Sequence, residues 1–231
     1  MTKRQTTVQF FAGLVMINVM SGLLLLGNIL SRWYPAFRGP VVTLLMYLAV
    51  LVPYAFLLFG ERLVWRQRIL SYGFRPALPE QKIRSSFLMG LLLMVVTIAP
   101  GAAVLGVSAA VQPLFRLDLS GLAQNVPLYL IMAFCEEAVC RGYLQTVLRK
   151  QATVRAAIVV AALLFAVLHF PSELYLLWAK SPALMLGTLA IQFIGGLFFG
   201  WLTHRDGCIY GAWLAHFGMN VCSMLIQSVL P

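Results

Sequence analysis

The chain alternates long apolar runs with short polar ones. Runs of roughly 20 apolar residues, the length that carries an α-helix across a bilayer, fall at about 8–30, 41–59, 87–111, 127–148, 154–170, 184–203 and 209–230. They are too long and continuous for the alternating strands of a membrane barrel, and only a helix satisfies its own backbone in lipid without barrel closure. The pattern predicts an all-α, polytopic transmembrane helical bundle of seven spans, forming one integral membrane domain over 1–231. The mixed stretch from Pro171 to Pro182, with Glu173, Trp178 and Lys180, reads as an interfacial or half-inserted helix; counting it gives eight spans.

The polar segments orient these spans. With the N-terminus inside, the inner side carries Lys3, Arg4, Arg62, Arg66, Arg68, Arg75, Lys82, Arg84, Arg149, Lys150, Arg155 and Arg205. The outer side carries only Arg32, Arg38, Arg116 and Lys180. Positive charge is retained on the cytoplasmic side, so the N-terminus is expected there and the C-terminus outside. The segment 60–86, broken by Gly73, Pro76 and Pro79, is expected to lie along the cytoplasmic surface. The first run is too long for a signal-peptide core and is expected to remain as a span.

Composition agrees with this picture. The chain is 61% hydrophobic and 10% charged, against about 45–50% and 25% in soluble domains. The net charge of +10 lies between the spans. That assigns it to topology and anionic headgroups, not to nucleic acid. Cys135, Cys140, Cys208 and Cys222 show no CxxC spacing, so neither a disulfide framework nor a zinc knuckle is implied.

The chemistry lies where charge interrupts apolar sequence. Glu136 and Glu137 are adjacent inside the fourth run, with Arg141 four residues after the second. Ionisable groups at membrane depth are costly and usually face a cavity or one another. Glu137 and Arg141, at i and i+4, share a helix face and are expected to pair. Glu136 points about 100° away and is free to face another element, as a general base would. His169 ends the fifth run. His216 lies in the seventh, with Asn220 four residues on, so two donors can converge on one oxygen, as an oxyanion requires. Phe165 lies one turn before His169 and is expected to pack beside it. Gly195, Gly196 and Gly200 form a small-residue stripe that allows close helix approach within the molecule. His204, beside Arg205 and Asp206, reads as a solvated turn residue.

A glutamate base, a histidine beside it and a His/Asn donor pair would activate water against an amide. Other intramembrane protease chemistries are poorly served. No HExxH motif occurs, and the only aspartates, Asp118 and Asp206, fall in predicted loops. Ser108 as nucleophile with His216 as base leaves the glutamates unexplained. A proton-coupled transporter would distribute its polar residues over two repeats, whereas these all lie in the second half. One tension remains: straight spans place Glu136, His169 and His216 at depths differing by roughly 10 Å or more at 1.5 Å per residue.

The ordered set Glu136-Glu137-x-x-x-Arg141, Phe165-x-x-x-His169 and His216-x-x-x-Asn220 resembles the CPBP family, which includes the type II CAAX prenyl endopeptidases and the bacterial Abi proteins. The resemblance covers about 120–225, the implied catalytic core. It implies an intramembrane endopeptidase in which Glu136 and His169 activate water and His216 and Asn220 line the oxyanion hole. Glu137, Arg141 and Phe165 are the supporting residues. No cofactor is expected; a zinc-dependent version would use Glu136, His169 and His216. The implied partners are the lipid bilayer and a membrane-associated protein or peptide substrate. The short chain and compact loops look like those of bacterial members, which implies a bacterial cytoplasmic membrane. A non-catalytic immunity or regulatory protein that binds peptides is the alternative from another class.

Overall fold

The computed structural model describes residues 3–33, 40–66, 73–74, 80, 82–90, 92–93, 119–179 and 182–227. Among them the regular structure is entirely helical. Helix α1 spans Lys3–Trp33 and α2 spans Pro40–Gly60, with a short π-helical extension at Glu61–Trp65. A helical segment, 82–90, begins the third predicted span and 92–93 are helical too; the rest of that span, with Ser108, and the loop residue Asp118 lie outside the described residues. Helix α3 spans Leu119–Glu137 and continues through a π-helical stretch, Ala138–Gln145, to Thr146–Leu148. Helices α4, α5 and α6 span Val154–Ala179, Pro182–Asp206 and Tyr210–Gln227.

Among the described residues four helical stretches are long and apolar enough to cross a membrane: Gln5–Gly27, Thr43–Leu63, Val154–Pro171 and Met185–Asp206. The predicted fourth span is a continuous helical rod, but its centre holds buried charge. Two boundaries differ from the expectation. Helix α3 starts at Leu119 and carries Pro127 within it, not at its start. Helix α4 runs through Pro171 to Ala179, so the backbone of 171–179 prolongs the fifth span where a separate half-inserted helix was expected. Lys180 and the side chains of Glu173 and Trp178 lie outside the described residues.

The π stretch is the centre of the bundle. All eight of its residues are buried, which fits its wider turn and its position among α1, α2, α4 and α5. One apolar core surrounds it, formed by residues such as Met16, Met20, Val50, Leu144, Phe165 and Leu168. Helices α4 and α5 pack along much of their length. Gly196 makes this possible: a Cβ there would lie 3.0 Å from the Cα of Ala162. Helix α6 docks on α3 through Trp213, whose Nε1–H donates to the Leu130 carbonyl at 2.9 Å, and through the edge-on contact of Trp213 with Phe134 at 5.2 Å.

The polar end of α5 also departs from expectation. His204 is exposed, as a turn residue would be. Asp206, however, ends the helix with its side chain fully buried. It accepts from Arg205 Nε at 2.8 Å and from Ser86 Oγ at 3.2 Å, and Lys82 Nζ lies 4.0 Å away. These contacts tie segment 82–90 to α5. The 60–86 region is not wholly a surface strap either, since Glu61, Phe74 and Ser86 are buried and Ile209 N–H donates to the Gly73 carbonyl.

Candidate active site

Three helices supply the site. Helix α3 delivers Glu136 and Glu137 at its junction with the π stretch; α4 delivers Phe165 and His169; α6 delivers His216 and Asn220. The depth difference expected for straight spans is absent. Because α4 extends to Ala179, His169 stands well inside its helix, and Glu136 Oε2 lies 3.9 Å from His169 Nε2 and 3.6 Å from His216 Nε2. Glu136, Glu137, Arg141 and His216 are each at most 3% exposed.

The expected pairing within α3 is present: Arg141 Nη1 donates to Glu137 Oε1 at 2.9 Å, with both side chains fully buried. That same Oε1 also lies 2.9 Å from His216 Nδ1. Glu137 is thus more than an internal helix brace; it ties α3 to α6. An ionised carboxylate only accepts, so Nδ1 carries the proton and Nε2 faces Glu136. His169 is held in the same sense. Its Nδ1 lies 2.9 Å from the Phe165 carbonyl, an acceptor only, so Nε2 again faces Glu136. Glu136 Oε2 is buried and makes no hydrogen bond among the described residues. Asn220 is half-buried one turn beyond His216, and no hydrogen bond joins it to His216 or to either glutamate among the described residues.

Arg141 is the buried cation of the set. Besides Glu137 it donates through Nη2 to the Gly196 carbonyl at 3.2 Å. Its guanidinium carbon lies 4.2 Å from the centroid of the Phe165 ring, so Phe165 does more than pack. That ring presents an edge contact to His169 at 4.7 Å and to His216 at 5.4 Å. Sequence reasoning missed Phe199 of α5. It is fully buried and stacks on His216, with ring centroids 4.8 Å apart and planes 17° apart. The signal was available, because Phe199 follows Gly196 by one turn and shares its close-approach face. One turn further on, Gln145 Nε2 donates to the Gly200 carbonyl at 3.0 Å. The glycine stripe therefore opens carbonyls of α5 to polar side chains of the π stretch, in addition to allowing close packing.

Glu136 Oε2 and the two histidine Nε2 atoms are the candidate metal donors, and both imidazoles are fixed through Nδ1, as metal-binding histidines are. Bonds of about 2.0–2.2 Å at a tetrahedral zinc separate neighbouring ligands by about 3.3–3.5 Å; the corresponding distances here are 3.6 and 3.9 Å. Among the described residues no three His, Cys, Asp or Glu side chains form a group that could hold a metal ion.

Residues 118–222, the stretch that contains all of these groups, match the family described as type II CAAX prenyl endopeptidase Rce1-like. That stretch is similar to the Rce1-like family. The match spans less than half of the chain and is to an endopeptidase family, and the long apolar helices make the chain an integral membrane protein. No curated protein matches the chain significantly. Helices α1 and α2 lie outside the Rce1-like match yet pack directly on its π stretch.

Proposed function

We propose that the protein is an intramembrane endopeptidase that hydrolyses a peptide bond of a membrane-associated protein or peptide without a metal. The observation that carries this reading is the approach of Glu136 Oε2, which has no hydrogen bond among the described residues, to His169 Nε2 and His216 Nε2. In this reading Glu136 accepts a proton from water as the water oxygen adds to the scissile carbonyl, and His169 Nε2 orients that water. The carbonyl oxygen gains the negative charge. His216, protonated on Nε2 as well as on Nδ1, donates to it together with the Asn220 amide, and the proton held by Glu136 passes to the leaving amine. Glu137 holds His216, Arg141 holds Glu137, and Phe165 supports Arg141 and both imidazoles. Preorganised donors at a developing oxyanion are worth about 10²–10³ in kcat each. The match to an endopeptidase family supports the reaction class.

The same reading takes 120–225 as the catalytic core of a single domain of seven spans, eight if 171–182 is counted separately. It places the N-terminus on the cytoplasmic side of a bacterial cytoplasmic membrane. The test compares the peptides in membranes of cells expressing wild type, Glu136→Gln, His169→Ala and His216→Ala. Cleavage products are expected with wild type alone. Products that persist with Glu136→Gln overturn the mechanism, and activity removed by a chelator and restored by zinc replaces it with the metal-dependent one. A Glu136→Gln variant that still protects or regulates cells as wild type does would instead support the non-catalytic alternative.

A further inference from the structure

The matched segment leaves α1 without a role, yet α1 touches the site's framework at both ends. Its buried face runs Gln9, Gly13, Met16, Ile17, Met20 and Ser21, a spacing of three and four that lays one stripe against the bundle. At the lower end Tyr143 Oη, in the π stretch, donates to the Gln9 carbonyl at 2.9 Å in a buried contact. Gly13 sits so close to the same stretch that a Cβ would overlap Leu144 and lie 3.2 Å from the Tyr143 ring. At the upper end Ser21 Oγ donates to the Leu168 carbonyl at 2.7 Å, again buried. Twelve residues separate Gln9 from Ser21, about 18 Å of helix.

The Leu168 contact falls at a weak point of α4. Pro171 lies inside this helix; it has no N–H for the Val167 carbonyl, and its ring crowds that carbonyl. The turn loosened in this way is the one that carries His169. A helical serine ordinarily bonds a carbonyl of its own preceding turn, but Ser21 spends its proton on a neighbouring helix, one residue before His169.

We propose that Ser21 is a positioning residue for His169, and that α1 is a strut holding the proline-weakened turn of α4 at a fixed distance from the π stretch that bears the glutamates. The proposal rests on the reading of His169 as the partner of Glu136 in activating water. It assigns the first helix a part in the reaction geometry beyond membrane anchoring. Ser21 touches neither substrate nor water; it acts by keeping His169 Nε2 aimed at Glu136.

The test uses the full-length protein in detergent micelles, with Ser21→Ala, and with Ser21→Thr and Ser21→Val as a pair of equal size that differ in the hydroxyl. Removing the hydroxyl is expected to lower kcat about three- to fifteen-fold, the range that one interhelical hydrogen bond in a membrane supports, with KM unchanged within about twofold. Ser21→Thr is expected to restore kcat. Selective ¹⁵N-histidine spectra give a readout independent of turnover: the Nδ1–H tautomer of His169 should lose population in Ser21→Ala and Ser21→Val but not in Ser21→Thr. Equal kcat and equal tautomer populations for the Thr and Val variants overturn the proposal. Glu136→Gln is measured beside them. If it retains turnover, the protease reading falls, and the tautomer spectra alone decide whether Ser21 holds His169.

Discussion

Replacing Arg141 with leucine should separate the two tasks of Glu137. In the wild type the Glu137 carboxylate is fully buried and shared between Arg141 Nη1 and His216 Nδ1, each at 2.9 Å. Breaking a buried pair by removing one partner costs about 3–5 kcal/mol, because the remaining charge is left uncompensated. The lower end applies here, since His216 Nδ1 stays hydrogen-bonded to Glu137. For a chain of this size about 3 kcal/mol lowers Tm by about 6–12 °C. The double variant Glu137→Leu, Arg141→Leu removes both charges. Apolar replacement of a buried pair is often neutral or favourable, while leaving His216 Nδ1 unpaired costs about 1–3 kcal/mol. The double variant should therefore be more stable than Arg141→Leu alone and lie within about 2 kcal/mol of wild type. It should nevertheless be inactive, because the hydrogen bond that fixes His216 through Nδ1 is lost. Thermal unfolding in micelles, run beside cleavage of a membrane substrate, checks both halves. A double variant no more stable than the single one refutes the charge compensation. A double variant with wild-type turnover refutes the role given to the Glu137–His216 bond.

Loss of the stack on His216 in Phe199→Leu is expected to cost about 0.5–1.5 kcal/mol of transition-state positioning, seen as a roughly two- to twelve-fold fall in kcat. Phe198→Leu, next to it in sequence, should leave kcat unchanged; equal losses in the two variants would deny Phe199 its role. Gly196→Val must push α5 away from Ala162, where even a Cβ would lie at 3.0 Å; a loss of about 1–3 kcal/mol in unfolding free energy is expected, and wild-type stability would contradict the close approach. His204→Cys should react with a membrane-impermeant maleimide in inverted vesicles and not in intact cells, because the polar end of α5 is assigned to the cytoplasm; labelling from outside reverses the assigned orientation.

Much of this organisation was legible in the chain. Among the described residues the apolar runs located the long helices, because a bilayer demands about 20 apolar residues of any span. The spacing of Glu137 and Arg141 foretold their ion pair, since i and i+4 meet on any helix. The rarity of charge in lipid singled out Glu136, Glu137, His169 and His216 before any contact was known. What the chain concealed depends on long-range geometry. Helix α4 continuing through Pro171 brings His169 to the depth of Glu136, and local sequence marked that proline as a boundary. The bond from Glu137 to His216 joins residues 79 apart in the chain, and no local periodicity reports such a distance. Ser21 looks like an ordinary helix residue until α1 is placed. By itself the sequence determined where the long apolar helices among the described residues run and which side chains are too costly in lipid to be idle, because both follow from local hydrophobicity and spacing. Only the tertiary structure decided which of those side chains face one another, because that depends on helix length, close approach at glycine and the few hydrogen bonds that set one helix against the next.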